Sequence, residues 1–341
     1  MIVPVLLIAC CLIPPSPETD WPEQPRDELV VRIDDALRLA SKFLIERQEE
    51  DGSWKSRTYG ILRDDLSLTP FVLTALHNMP EDGGARQASV DKGVDFLLTL
   101  IDEDGKIAAG SNGLRYPTYT AAAASWAVML RSKSPRNLQA QQAWIEYLKR
   151  RQLTERIGWS KTDPQFGGWG YDIGIPAKPG SSAGRQPESN LSATVFAIGA
   201  LRAARVTTDK PMFKDILLFV GRCQNFPNDS SDTDPKFDDG GFFFSPTDPA
   251  RNKAGVAGTG IHGKTRFHSY GSMTADGLRA LIRCELPFDH PRLKAARRWL
   301  EYNFRADTNP GTFQPAREPL RDAYYYYYCW SVAHAFMALG V

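Results

Sequence analysis

One helical segment recurs five times along this chain, and this repeat constrains the fold more than any single motif does. Each copy has a polar or aromatic entry and a Ser or Thr, continues as a helix of small and apolar residues, and reaches Ala-Leu or a close variant about seven residues later. The Thr-equivalent positions are 69, 120, 194, 274 and 332. Units that recur in this way stack along the chain, and each buries its apolar face against its neighbours.

A second class of helix is predicted between these segments. Leu29, Ile33, Leu37, Ala40 and Leu44 follow three- and four-residue steps and form one apolar stripe. Similar stripes occupy 90–100, 138–148, 212–223 and 293–302. The repeated segments are nearly uncharged on every side, and such helices are buried between neighbours. The alternation predicts an all-α protein with an inner ring of apolar helices and an outer ring of amphipathic ones.

The loops carry a pattern of their own. The segment from Gln48 to Trp54 reads Q-x-x-x-G-x-W, and degenerate copies of it lie at 104–107, 166–169 and 239–242. A glycine at this place permits the positive φ that ends an outer helix. The aromatic residue that follows is then expected to pack against the next hairpin.

With these loops and helices, the chain from 28 to 341 resembles the squalene-cyclase and protein-prenyltransferase repeat proteins. The segments Ser269–Thr274 and Tyr324–Tyr328 are most similar to an uncharacterised bacterial branch of that family. The resemblance implies a single α/α-toroid domain of about five to six helical hairpins. Five inner helices can be counted, whereas barrels of this family generally close with six hairpins.

The family's catalytic acid has no counterpart at the matching place. The cyclases carry D-x-D-D-T at the start of an inner helix, and alignment on Thr194 places Asn190 and Ser192 where the motif has carboxylates. Neither side chain is an acid strong enough to generate a carbocation. Asp65, which precedes Thr69, matches the first Asp alone, and a helix N-cap explains it equally well.

The zinc site of the prenyltransferases is also altered. Their R-D-x-Y-H stretch corresponds to the segment from Arg321 to Tyr325, with Tyr325 in place of the His ligand. Their D-x-C falls on Phe267 and Ser269. We therefore expect no metal and no cofactor. His262 and His268 have a spacing that is unspecific for metal binding.

Aromatic residues are concentrated at the starts of the inner helices. By resemblance they line a central cavity and bind an apolar, isoprenoid-like ligand. The candidate ligand-binding residues are Tyr116, Tyr119, Trp126, Asn190, Ser192, His268, Tyr270, Tyr324, Tyr325 and Tyr328. In the alternative, these rings fill the centre of the barrel and hydrogen-bond one another. We further expect Asp322 and Tyr325 to face the cavity, because they lie three residues apart on one helical face.

The N-terminal residues 1–27 form a leader-like segment and a Pro-rich linker. The apolar run 2–13 is too short to span a bilayer as a helix, but it suits a signal peptide. The segment from Leu7 to Cys10 resembles a lipoprotein cleavage box, which predicts export and a lipid anchor at Cys10. No Lys or Arg precedes the run, so a cytoplasmic protein with an apolar N-terminus is the alternative.

Three functions fit the sequence. The first is a binding protein for an apolar small molecule, and the second is a terpene cyclase-like or lyase-like enzyme that uses Asp65 or Asp322 as its acid. The third is a scaffold that receives a protein partner. Nucleic acid is excluded as a partner, because 41 basic residues balance 40 acidic ones and no basic run is present.

Overall fold

The computed structural model describes residues 26–56, 58, 65–108, 114–131, 133–180, 187–228 and 230–340. The leader-like segment with Cys10 lies outside these residues. The helices are α1 (Arg26–Ile45), α2 (Asp65–His77), α3 (Ala85–Thr99), α4 (Pro117–Ala127), α5 (Pro135–Lys149), α6 (Leu191–Ala203), α7 (Pro211–Arg222), α8 (Gly271–Arg283), α9 (Pro291–Asn303), α10 (Glu318–Ala323) and α11 (Tyr325–Leu339). Two short antiparallel strands, β1 (Val256–Thr259) and β2 (Thr265–Phe267), lie between α7 and α8.

The helices form two rings, as the alternation of apolar and amphipathic segments predicts. Helices α2, α4, α6, α8 and α11 make up the inner ring, and each packs against the next in that order. The outer helix α3 packs on α2, α5 on α4, and both α7 and α9 on α8. One continuous apolar core runs from Trp54 to Ala335 between the rings. The all-α fold and its α/α-toroid arrangement are therefore confirmed.

Helix starts follow from local sequence. Helices α5, α7 and α9 each begin with a proline, whose fixed φ suits the first helical position and whose missing N–H has no helical partner to lose there. The inner helix α6 begins after Asn190, whose side-chain oxygen accepts a 2.8 Å hydrogen bond from the backbone N–H of Ala193. Such a cap satisfies one of the unpaired N–H groups of the first turn.

In α2, α6 and α8 the hydroxyl of the repeated Thr connects the inner helix to the loop before it. The hydroxyl of Thr69 accepts a 2.9 Å hydrogen bond from the backbone N–H of Trp54. Thr194 accepts the same bond from Trp169 at 3.1 Å, and Thr274 accepts it from Phe242 at 3.0 Å. All three Thr side chains are buried, so these bonds satisfy loop N–H groups that have lost contact with water.

A glutamine that follows each of three outer helices hydrogen-bonds to the next outer helix. Gln48, Gln152 and Gln224 lie just after α1, α5 and α7, and each side-chain amide donates two hydrogen bonds. One bond goes to a glycine carbonyl of the same loop. The other goes to a backbone carbonyl near the start of the following outer helix, at Ser89, Met212 or Arg292. One side chain thus bridges two hairpins.

Glycines of these loops adopt the positive φ expected from the sequence. Gly167 has a φ of +92° and lies directly against the backbone of Asp215 in α7, where a Cβ atom would overlap the carbonyl oxygen. The next indole, Trp169, donates 2.8 Å from Nε1 to the carbonyl of Leu148 at the end of α5. The glycine therefore allows a close approach that the tryptophan then stabilises.

Helix α1 differs from the expected pattern. Its apolar stripe is half-buried only from Leu37 onward, whereas Leu29 and Ile33 are 48% and 49% exposed. The N-terminal part of the stripe is therefore exposed, whereas its C-terminal end packs on the core. Within the described ranges, every helix is too short or too polar to cross a membrane.

Candidate functional site

A pocket of about 780 Å³ lies where the N-terminal ends of four inner helices meet. Its walls are formed by Arg115, Tyr116, Tyr119, Tyr171, Asp172, Ile173, Glu188, Ser192, Phe244, Arg251, Lys253, Tyr270, Ser272, Met273, Tyr324 and Tyr327. Exposed side chains at Arg115 and Ile173 mark the side that meets solvent. Aromatic rings and aliphatic stems make most of the wall, and polar groups stand between them.

The inner helices place the wall residues by their starting points. Tyr116, Tyr270 and Tyr324 are the residues that immediately precede α4, α8 and α11, and Tyr119 and Ser192 lie in the first turns of α4 and α6. The N-terminal ends of four helix dipoles thus point toward this end of the ring, and their partial positive charge favours electronegative groups there.

Long loops supply the rest of the wall. The loop 150–190 contributes Tyr171 and Glu188, and the loop 223–270 contributes Phe244, Arg251 and Lys253. Arg151 anchors the first loop, since its guanidinium donates to the carbonyls of Ile173 and Gly174 at 2.7 and 2.6 Å.

Away from the pocket, aromatic rings of neighbouring inner helices pack on one another. Phe196 of α6 stacks on Trp330 of α11 with 5.1 Å between ring centres, and it meets Phe71 of α2 edge-on at 6.2 Å. Tyr119 contacts the same Phe196 edge-on at 4.8 Å, so it lies between this group of packed rings and the pocket. Each such pair contributes about 0.5–1.5 kcal/mol beyond its buried area.

Positive charge predominates among the pocket side chains. Arg251 forms ion pairs with Glu188 and with Asp248, so these carboxylates neutralise it. The ammonium of Lys253 lies 4.7 Å from the ring centre of Tyr324 and 5.6 Å from that of Phe244. A cation over two rings is stabilised by their negative faces. Lys253 therefore presents its charge on an aromatic part of the wall.

A chain of hydroxyl groups connects the pocket to a buried carboxylate. Tyr171 and Tyr119 share a hydrogen bond of 3.1 Å, and Tyr119 donates to Ser192 at 2.7 Å. Ser192 and Tyr327 are hydrogen-bonded in turn, and Tyr327 donates to Oδ2 of Asp276 at 2.6 Å. The chain thus links α4, α6, α8 and α11.

Asp276 is completely buried in α8 and faces a buried arginine. Its Oδ1 lies 3.0 Å from Nη1 of Arg279 and also accepts a hydrogen bond from Ser331. Burial raises the pKa of Asp276, and Arg279, Ser331 and Tyr327 oppose that rise. Burial likewise raises the pKa values of Tyr119, Tyr171 and Tyr327 well above their ordinary range, so these hydroxyls keep their protons.

The structure brings together half of the ligand-binding candidates. The members that line the pocket are Tyr116, Tyr119, Ser192, Tyr270 and Tyr324. Contact with a ligand stays a prediction for all five. Some of the aromatic residues border the pocket and others pack on one another, so both alternatives for these rings stay predictions.

The expectation that Tyr325 and Asp322 face the cavity is wrong. The hydroxyl of Tyr325 donates 2.6 Å to the carbonyl of Ala306, in the loop that follows α9, and its ring contacts Tyr326. Asp322 is exposed on α10. Helix α10 ends at Ala323 and α11 begins at Tyr325, so Asp322 and Tyr325 belong to different helices and do not share the single helical face that was expected.

The remaining candidates also lie elsewhere. Tyr328 donates to the carbonyl of Arg305 at 2.8 Å, and Trp126 meets His77 edge-on at 5.5 Å. His268 lines a separate cavity of about 410 Å³. Asn190 caps α6, and its side chain is buried there. The backbone of Asp65 begins α2, while its side chain lies outside the described part of the structure.

Several residues of the pocket wall and of the hydroxyl chain were not predicted from the sequence. Tyr327 belongs to the recognised run of five tyrosines, but a run of identical residues gives no sign of helical phase. Asp276 did leave a signal, since a carboxylate and Arg279 stand three residues apart inside an otherwise apolar inner helix. Tyr171 follows Trp169 by two residues, at the end of a recognised loop pattern.

The positions of the family's zinc ligands are used for packing. Phe267 is buried, and Ser269 donates 2.7 Å to Asp239 and accepts from Asn225 at 2.9 Å. Across the described residues, no three His, Cys, Asp or Glu side chains are grouped in a way that would hold a metal ion.

Comparison with known proteins gives a fold-level likeness. The chain matches no protein-family model and no curated protein sequence. Among solved structures, it is similar to a variant of the type II terpene cyclase MstE from Scytonema, in complex with its product merosterolic acid A, with a TM-score of 0.52 and 13% identity. The match covers 92% of this chain and 78% of that one.

A second MstE variant, in complex with its substrate geranylgeranyl dihydroxybenzoate, has a TM-score of 0.40 and 17% identity, over 79% of this chain and 61% of that one. Identities this low concern the fold and not the chemistry. The protein has a terpenoid-cyclase-like α/α-toroid fold.

Proposed function

We propose that this protein binds an apolar, isoprenoid-like small molecule in the pocket at the N-terminal ends of the inner helices. The observation that carries the proposal is the pocket itself, whose volume of about 780 Å³ falls within the roughly 300–1,000 Å³ typical of small-molecule sites. Its wall combines tyrosine and phenylalanine rings with a few polar groups, which is the composition such sites have. The MstE structure with its bound product, from a type II terpene cyclase, supports the same ligand class.

The charges of the pocket favour binding over cyclisation. Alkene protonation needs a strong acid, and a carbocation needs surroundings that tolerate positive charge. Glu188 is ion-paired with Arg251, and the cations Arg115, Arg251 and Lys253 outnumber the carboxylates Asp172 and Glu188 in the wall. Both features oppose the chemistry that the fold supports in MstE.

The direct test measures retention and turnover together. The full chain is incubated with geranylgeraniol or squalene, separated from free lipid, and extracted for mass spectrometry. We expect about one molecule of geranylgeraniol per chain, recovered unchanged. A cyclised product would establish the enzyme alternative instead. Retention of neither lipid would contradict the proposal and leave the protein-scaffold alternative.

A pair of Met→Trp variants locates the bound molecule. Met273 is buried and lines the pocket, so Met273→Trp fills part of the volume and is expected to abolish retention. Met337 is 69% exposed on α11, so Met337→Trp adds the same ring outside the pocket and is expected to retain the lipid. Circular dichroism of both variants checks that the overfilled core still folds, since overpacking costs about 1–3 kcal/mol.

Export and a lipid anchor at Cys10 form a separate proposal. The apolar run and the cleavage-box resemblance support it. Mass analysis of the N-terminus of protein from its own host tests it, and an intact Met1 would contradict it.

A further inference from the structure

We propose that the pocket selects a ligand that donates a hydrogen bond, namely a prenol-like alcohol, through the phenolic oxygen of Tyr171. The inference rests on the proposed function, because it names the polar group of the ligand bound in the same pocket. Its basis is the order of donors and acceptors in the chain of hydroxyl groups that ends on Asp276.

The carboxylate fixes one end of the chain. At pH values above the raised pKa of Asp276 its carboxylate is ionised, so it accepts hydrogen bonds and donates none, and each of its neighbours must be a donor. Arg279, which stays protonated in proteins, lies 3.0 Å from Oδ1, and Ser331 donates to the same oxygen. Tyr327 therefore directs its single proton to Oδ2, at 2.6 Å.

Each later hydroxyl has one proton, and this leaves one consistent order. Because the proton of Tyr327 is engaged by Asp276, Ser192 must donate to Tyr327. The oxygen of Ser192 then accepts from Tyr119 at 2.7 Å. The proton of Tyr119 is now engaged, so Tyr171 must donate across the 3.1 Å contact between the two phenols. All the protons are directed toward Asp276.

The free end of the chain is consequently an acceptor. Tyr171 has used its proton on Tyr119 and retains lone pairs on an oxygen at the pocket wall. Its ring is held by an edge-on contact with Tyr116 at 5.7 Å and by the guanidinium of Arg251 at 5.5 Å from the ring centre. Arg251 forms ion pairs with Glu188 and Asp248, and a ligand hydroxyl in the pocket can donate to the phenolic oxygen of Tyr171.

The predicted selectivity separates two lipids of nearly equal size. Geranylgeraniol has a hydroxyl proton to donate, whereas geranylgeranyl methyl ether has the same chain and oxygen but no such proton. A net hydrogen bond of ordinary strength corresponds to about a five-fold difference in Kd. We therefore expect the alcohol to bind about five-fold more tightly than the ether.

The experiment is isothermal titration calorimetry of both lipids with the full chain and three variants. Tyr171→Phe removes the terminal acceptor, and Tyr327→Phe removes the link to Asp276, so both are expected to lose the preference for the alcohol. Tyr325→Phe is the matched control, because that neighbouring hydroxyl is bonded to Ala306 outside the pocket, and it is expected to keep the preference. Circular dichroism confirms that each variant is folded.

The outcomes test the selectivity for the alcohol and the proposed lipid binding separately. Equal binding of alcohol and ether to the unaltered protein overturns the selectivity while leaving the proposed function intact. A preference that persists in Tyr171→Phe also overturns it, since another group would then accept the proton. Binding of neither lipid overturns the proposed function and this inference with it.

Discussion

The hydroxyl of Tyr327 on α11 donates a 2.6 Å hydrogen bond to Oδ2 of Asp276 on α8. This bond joins the last inner helix to its neighbour, and through Ser192 it reaches α6 as well. Asp276 would be costly to bury alone, but Arg279, Ser331 and Tyr327 together satisfy its two oxygens. The same bond thus contributes to stability and sets the polarity of the pocket wall.

Removal of this hydroxyl should destabilise the fold. Hydrogen bonds to charged groups contribute about 1.5–3 kcal/mol, so we expect Tyr327→Phe to lower the free energy of unfolding by roughly that amount. Tyr325 lies two residues earlier in α11, and its hydroxyl bonds to a neutral carbonyl at a partly exposed site. Tyr325→Phe should therefore cost about 1 kcal/mol or less. Urea denaturation of both variants measures the difference, and equal losses would refute the assigned role of Tyr327.

The buried carboxyl should also leave a signature in the pH dependence of stability. Burial raises the pKa of Asp276 in the folded state, so the native protein holds this proton at pH values where the unfolded chain has released it. The contribution of Asp276 is therefore fully present below the ordinary carboxyl pKa and falls as the pH rises through the raised one. The difference in unfolding free energy between the unaltered protein and Asp276→Asn should decline over that interval. A difference that increases with pH would show that the pKa is lowered instead.

The loop glycines should tolerate no side chain where they touch an outer helix. At Gly167, a Cβ would overlap the backbone of Asp215 and the φ of +92° would be strained, so we expect Gly167→Ala to cost more than about 2 kcal/mol. Gly174 has open space around the same atom and serves as the control, with a change within about 0.5 kcal/mol. Thermal unfolding compares the two, and a stable Gly167→Ala protein would disprove the close approach.

The purified protein should contain far less than one zinc per chain. Phe267, Ser269 and Tyr325 stand where the prenyltransferases have ligands, and their side chains pack or bond to other protein groups. Elemental analysis of untagged protein provides the measurement. One zinc per chain, released by chelation with a fall in Tm, would contradict this prediction.

The ring architecture was predictable because its signals are local. An inner helix such as α6 is apolar on all sides, and an outer helix such as α7 carries charge on one side. The sequence of about a dozen residues therefore predicts to which ring a helix belongs. The recurring Thr is equally local, although its hydrogen bonds became clear only in the structure. The glutamines at 152 and 224 were found in the structure alone. The exposure of the first half of α1 could not be predicted, because an apolar stripe in the sequence does not show whether another element packs on it.

The pocket was predictable only in part, because its composition depends on long-range placement. Tyr116, Tyr119 and Tyr270 follow from the starts of inner helices. Tyr171 and Lys253 instead depend on the course of long loops, which no periodicity encodes. In the run from Tyr324 to Tyr328, α11 begins at Tyr325, and five identical residues give no indication of where the helix starts or which rings face inward.

The measurement that tests the central claim most directly is photo-crosslinking with a diazirine analogue of geranylgeraniol, followed by peptide mapping. The account predicts labelling of the peptides that contain Tyr119, Tyr171 and Tyr327, and loss of that label when unmodified geranylgeraniol competes. The exposed apolar residues of α1, such as Leu29 and Val30, provide the alternative site for a lipid. Label confined to α1, or label in the pocket peptides that geranylgeraniol does not displace, would contradict the claim that the pocket is the binding site.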